Sequence, residues 1–236
     1  MSARTKFAIA ALLLFASNPI LAKKYAGLTD AERRTVAIEY STCLAEQHHL
    51  LLREFVLSQG VNDKKDDRYR VLSKFECIPA RYKSDLTVMR MPLSGSLYAA
   101  AEALLIKEKP AISVDFSSIP YLAHREPMKM ENYKKGGRLS REEYEREVER
   151  TKGSALVSRI GECTVRGDTP NVVAMLATQI GSDEEKNAIQ TLIPVISRCI
   201  TDGSIKLLPE LIRGTAALNL YRLVNADKAS NIGGAA

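Results

Sequence analysis

SREEYEREVERTKGSALVSRIGECTVRGDTP, Ser140 to Pro170, is the stretch whose reading decides the fold. Ser140 with Glu143 three residues later is a capping-box pattern: the hydroxyl accepts a backbone N–H of the first turn and the glutamate reaches back to the serine's own N–H. Behind it Tyr144, Val148, Ala155, Ile160 and Cys163 keep helical spacing. Glu142, Glu143, Glu145, Glu147 and Glu149 are interleaved with Arg141, Arg146 and Arg150. That density reads as a solvated helix face with near-neighbour ion pairs rather than as the carboxylate pair of a glycosidase. The stretch ends on Arg166-Gly167-Asp168, a tripeptide that adhesive proteins present to receptors. A structural reading covers each letter: Gly167 ends a helix in the left-handed conformation, Asp168 or Thr169 caps the next one, and Pro170 suits its first turn.

The same device recurs on both sides. Thr29-Asp30-Ala31-Glu32 precedes a stripe through Val36, Tyr40, Cys43, Leu44, Leu50 and Leu51, which predicts one helix over Leu28 to Leu51. Ser182-Asp183-Glu184-Glu185 precedes Ala188, Leu192, Ile196, Cys199 and Ile200. The one strand candidate is Ala111 to Phe116, and a lone strand does not stabilise itself.

The helices fall into two similar halves. With Cys43 set on Cys163, Val56–Gly60 lies over Leu176–Ile180, Gln59 over Gln179 and Asp63 over Asp183. Cys77 and Cys199 correspond after a two-residue adjustment, and GSLYAAAEALL from Gly95 parallels GTAALNLYRLV from Gly214. The expected fold is all-α, with two tandem helical repeats of about three to four helices each and one disulfide per repeat. Residues 23–108 form the first repeat and residues 140–226 the second. A connector at 109–139, broken by Pro110, Pro120, Pro127 and Gly136-Gly137, joins them and is expected to be cut first by proteases. Residues 227–236 form a flexible tail. The place aligned with the Arg-Gly-Asp reads AEQHHL, Ala45 to Leu50, so the repeat does not depend on the tripeptide.

The second half resembles uncharacterised secreted bacterial proteins that carry an ECxVxxxP-like segment, a second cysteine further along and a closing Gly-led helix. The stretches that carry the resemblance are ECTVRGDTPNVVAMLAT, LIPVISRCI and LIRGTAALNLYRLV. The first half matches loosely, with Leu44 after Cys43 and no proline where Pro170 aligns. The resemblance implies a helical, exported protein and no activity.

Four cysteines allow three connectivities, and the repeat favours Cys43 with Cys77 and Cys163 with Cys199. Each closed loop contributes about 3–4 kcal/mol through the unfolded chain in the entropic model. Export supplies the oxidising compartment. Arg4 and Lys6 precede an apolar run from Phe7 to Phe15 and the small residues ending at Ala22, the pattern of a signal peptide over residues 1–22. That run is shorter than the about 20 residues a bilayer span needs, and no later segment reaches that length. The mature chain is expected to begin near Lys23, in the periplasm or outside the cell. Loss of Arg4 and Lys6 takes the formal charge from +6 to +4, a surplus that does not single out nucleic acid. Tryptophan is absent, which disfavours an aromatic sugar-stacking groove.

Catalytic patterns are missing from the sequence: there is no G-x-S-x-G, S-x-x-K, H-E-x-x-H or phosphate-cradling glycine loop. His124 stands alone in the connector. Glu46 with His48 and His49 is the one other cluster, and adjacent histidines point to different sides of a helix, so a partly exposed helix face is expected there. No catalytic, cofactor or metal residue is expected. The expected function is an interaction or structural module of the cell envelope with another envelope protein as partner. The alternative is a hydrolase of an envelope polymer with carboxylates as acid and base.

Overall fold

The computed structural model describes residues 29–58, 72, 75–79, 93–112, 115–127, 129–130, 140–201 and 207–226. Residues 1–22, expected to be a signal peptide, residues 227–236, expected to be a tail, the aligned Gln59 and Asp63, and Gly136-Gly137 lie outside the described residues. Among the described residues there are seven α-helices and no strand: α1 Asp30–Gln47, α2 His49–Leu57, α3 Leu93–Glu108, α4 Arg141–Gly167, α5 Thr169–Leu176, α6 Asp183–Cys199 and α7 Pro209–Val224. A single 3₁₀ turn covers Phe75–Cys77.

Two of the three capping boxes close in both directions. Glu32 N–H donates to Thr29 Oγ1 at 3.2 Å and Thr29 N–H returns to Glu32 Oε2 at 2.6 Å. Ser140 and Glu143 do the same at 3.2 and 2.7 Å. At the third, Glu185 N–H donates to Ser182 Oγ at 3.1 Å, but the Glu185 carboxylate turns away into the interior. A local rule is broken there because a stronger partner is present, described below.

The first helix does not run to Leu51. It breaks at His48, which takes φ −134° and ψ 40°. The cause is tertiary: Lys107 of α3 donates to the Ala45 carbonyl at 2.5 Å, and Glu108 pairs with His49 at 2.8 Å. Bending there lets Leu52, Phe55 and Val56 of α2 enter the same core as Leu44 and Ala45 of α1. Asp168, five residues after Cys163 as His48 is after Cys43, takes a similar conformation, φ −160° and ψ 65°, between α4 and α5.

Helix α7 ties the molecule together. Leu218 and Tyr221 complete the core made with α1, α2 and α3, while Ile212, Ala216, Leu220 and Leu223 belong to the core made with α4, α5 and α6. Every residue from Ile212 to Leu223 is buried. A helix apolar on one stripe only would serve one core, whereas one buried all round serves two. Each fully buried Leu or Tyr of this kind contributes about 1.5–3 kcal/mol. The disulfides are Cys43–Cys77 and Cys163–Cys199, with Cα–Cα distances of 5.4 and 5.8 Å. That is the pairing expected from the sequence. The first joins α1 to the 3₁₀ turn and the second joins α4 to the last residue of α6.

Candidate functional site

The Arg-Gly-Asp tripeptide is wholly occupied by structure. Arg166 donates to the carbonyls of Phe116 at 2.5 Å and Pro120 at 2.8 Å, lies over the Tyr121 ring at 4.8 Å, and pairs with Glu162 one turn back. Asp168 caps α5 by accepting the Asn171 N–H, and Pro170 sits in the first turn. Gly167 differs from expectation. It is helical with no positive φ, and its smallness serves packing, since a Cβ there would stand 2.7 Å from Val195 Cγ1 of α6.

His124 is not isolated. Its Nε2 meets Glu162 Oε2 at 3.0 Å, and Glu162 Oε1 accepts the Leu122 N–H at 3.0 Å. Arg222 of α7 donates to the Ala123 carbonyl at 2.7 Å. These groups strap the connector segment 115–124 across α4 and α7, with Phe116 buried beneath. Burial alone would raise the Glu162 carboxyl. The bonds from His124, Leu122 and Arg166 and the arginine's charge outweigh it and hold the group below its ordinary value. Burial pulls the Arg222 guanidinium down to about 10, opposed by the Glu162 charge.

A second buried charge network joins α1, α3, α6 and α7. Arg213 donates from Nε and Nη2 to Glu102 Oε1 at 3.0 and 2.6 Å, and from Nη1 to Glu185 Oε1 at 3.2 Å. Its remaining donor capacity goes to the carbonyls of Met175, Leu176 and Thr178 at 3.1, 2.9 and 3.2 Å. Met175 and Leu176 are the last residues of α5 and Thr178 lies just beyond it, and a cation suits that end of the helix dipole. Glu185 also takes both terminal nitrogens of Arg34, at 2.7 and 3.0 Å, and the Gly181 N–H at 2.7 Å. Burial would raise Glu185, but Arg34, the Gly181 N–H and the Arg213 charge together lower it. Two arginines and two glutamates balance. Arg34–Glu185 and Arg213 explain why the third capping box stays half made.

Beside this network a groove of about 160 Å³ opens between α3, α5, α7 and the start of the connector. Its walls are Leu105, Ile106, Ile112, Val173, Leu176 and Leu220. Its polar groups are Glu102 and Lys109. Ile106 is 53 % exposed; Leu50, Tyr121, Leu156, Ile193 and Leu208 are exposed to different degrees elsewhere among the described residues.

Comparison with protein-family models, with curated proteins and with solved structures finds no match to this chain. The site is therefore read from its own geometry. Glu46 is exposed, His49 is held by Glu108, and the Tyr221 hydroxyl donates to the same Glu108 oxygen at 2.8 Å. The acidic face of α4 forms the expected near-neighbour pairs, Arg141–Glu145, Arg150–Glu147 and Lys152–Glu149. Glu102, Arg213 and Glu162 were missed in the sequence reading. Their signal was present: each is the one charge in a short, mostly apolar or small-residue run, YAAAEALLI, LIRGTAALNLY and IGECTV.

Proposed function

We propose that this chain is an exported interaction or structural module of the cell envelope, built from two tandem helical units with one disulfide each, and that its partner seats in the groove between α3 and α5. The groove carries the reading. It is concave and mostly apolar, it lies where residues of the two halves meet, and Ile106 beside it is exposed; binding sites favour junctions of this kind between units. Two units are supported by the matching breaks at His48 and Asp168, by one disulfide within each half, and by the pairing of the Gly-led helices α3 and α7. Disulfides suit an oxidising compartment, and the resemblance of ECTVRGDTP to secreted bacterial proteins points the same way. Glu102, Glu185 and Glu162 are each held by arginine, which favours a structural use of the deep carboxylates over acid–base hydrolysis.

A photo-cross-linking residue in place of Ile106, carried in the full-length protein in its own cells, tests this reading. A discrete adduct that disappears when Val173→Phe fills the groove is the expected result. An equal adduct from the same residue placed at the exposed Glu184 of α6, or none at either site, would refute the groove as the docking surface.

A further inference from the structure

The strap 115–124 is held by helix side chains that read its main chain. Among the described residues no main-chain to main-chain bond joins it to a helix; the bond it makes of that kind is internal, Ile119 N–H to the Phe116 carbonyl at 3.1 Å. Arg166 of α4 takes the carbonyls of Phe116 and Pro120, Arg222 of α7 takes that of Ala123, and Glu162 of α4 takes the Leu122 N–H. Selectivity comes from Phe116, Ile119 and Leu122, three residues apart, which pack on the core shared by α4 and α7. Main-chain bonds for affinity with side-chain pockets for selectivity is how folded domains take up peptide segments.

The face beneath does not need the strap. Asn219 Nδ2 on the Ser158 carbonyl at 2.9 Å and Thr215 Oγ1 on the Val157 carbonyl at 3.1 Å lock α7 to α4, and Glu162 pairs with Arg166 within α4. The closed strap, in turn, is not fully satisfied: His124 Nδ1 and Arg222 Nη1 are buried with no hydrogen-bond partner among the described residues. A buried polar atom without a partner weighs against the state that buries it, and lifting the strap returns both to water. Ser117, Ser118, Pro120, Tyr121 and Ala123 already face solvent.

We propose that the α4–α7 face is a peptide-docking site that the chain's own strap occupies in cis, and that its occupant in trans is a short non-helical segment of a partner polypeptide with bulky apolar residues three apart. The seated strap is the template for that chemistry. Its four main-chain contacts fit any segment that follows the same path, and the three apolar positions select among them. The strap is then a tethered competitor, present at an effective concentration of about millimolar, and a partner segment gains the site only by displacing it. This surface is separate from the groove between α3 and α5 and stands whether or not that groove docks a partner.

The peptide DFSSIPYLAH, residues 115–124, labelled with fluorescein, is the probe. Phe116→Asp pulls the strap's own buried anchor out of the core. That variant is expected to bind the peptide saturably by fluorescence anisotropy, at least about tenfold more tightly than the parent, whose tethered strap competes. The peptide carrying the same Phe116→Asp change should bind neither protein. Adding Arg166→Met to the Phe116→Asp protein removes the contacts to two carbonyls and should abolish binding. Where Phe116→Asp fails to fold by circular dichroism, Ile119→Asp, at a half-buried position, takes its place. Hydrogen exchange in the parent protein tests the opening independently: the Leu122 amide should exchange at least about 100-fold faster than the Leu220 amide of α7. Exchange at Leu122 as slow as at Leu220, equal binding by parent and variant, binding that survives Arg166→Met, or no saturable binding overturns the proposal. So does a concentration-dependent dimer of the strap-opened variant that takes no peptide, which would assign the face to a second copy of the chain.

Discussion

Arg213→Met removes the cation at the centre of the four-helix network. The guanidinium is 5 % exposed and serves Glu102, Glu185 and the three carbonyls where α5 ends. Glu185 keeps Arg34 and the Gly181 N–H, so the damage falls on Glu102, left buried without a countercharge, and on the carbonyls. Removing one partner of a buried pair costs about 3–5 kcal/mol, because an uncompensated charge stays behind. Methionine restores most of the lost apolar volume, which keeps the cavity contribution small. A loss of about 4 kcal/mol corresponds to about 8–16 °C in Tm for a chain of this size. Urea unfolding followed by circular dichroism without reductant measures it. Combining Arg213→Met with Glu102→Leu removes both charges and should restore more than 1 kcal/mol, a coupling of the size found for contacting residues (about 0.5–3 kcal/mol). A single-variant loss below about 1 kcal/mol, or strict additivity in the double variant, would mean that the pair is effectively solvated and that the network does not join the helices.

Gly161→Ala should cost about 1–3 kcal/mol by overpacking, since a Cβ there meets Thr215 and Asn219 where α4 crosses α7; unchanged stability would refute that crossing. Glu185 and Glu162 have folded-state pKa values lowered from 4.5, so their contribution is fully present above that value and is lost as pH falls through the folded values. Stability measured from pH 7 down to 3 should therefore hold until about 4.5 and then decline, and Glu162→Gln should flatten that decline. The same variant weakens the hold on Leu122 and His124, and trypsin should then cut after Arg125 faster than in the parent protein. Replacing Cys163 and Cys199 with Ala should lower stability by about 3–4 kcal/mol while non-reducing peptide mapping still finds the Cys43–Cys77 bridge; a scrambled bridge would count against independent units.

Local chemistry determined a great deal by itself. The boxes at Thr29 and Ser140, the cap and proline after Gly167, the ion-paired face of α4 and the all-α class all follow from groups a few residues apart, whose geometry is set by the helix alone. The cysteine pairing was also legible, because spacing and order narrowed three connectivities to one. Tertiary structure decided the rest. Nothing near His48 in sequence ends α1; Lys107 and Glu108, distant in the chain, hold the bend. Glu185 reads as a capping residue until Arg34 and Arg213 arrive from two other helices and outcompete the backbone N–H of Ser182. Gly167 reads as a helix terminator until Val195 packs against it. His124 stands alone in the connector sequence until Glu162 meets it, and the tripeptide arginine has no partner in the sequence pattern until the carbonyls of Phe116 and Pro120 receive it. The groove, too, exists only because α3 and α5, far apart in the chain, both pack on α7 and wall the same hollow. In each case the deciding partner lies dozens of residues away, and a buried charge or a missing Cβ acquires its meaning from what the fold brings within a few ångströms.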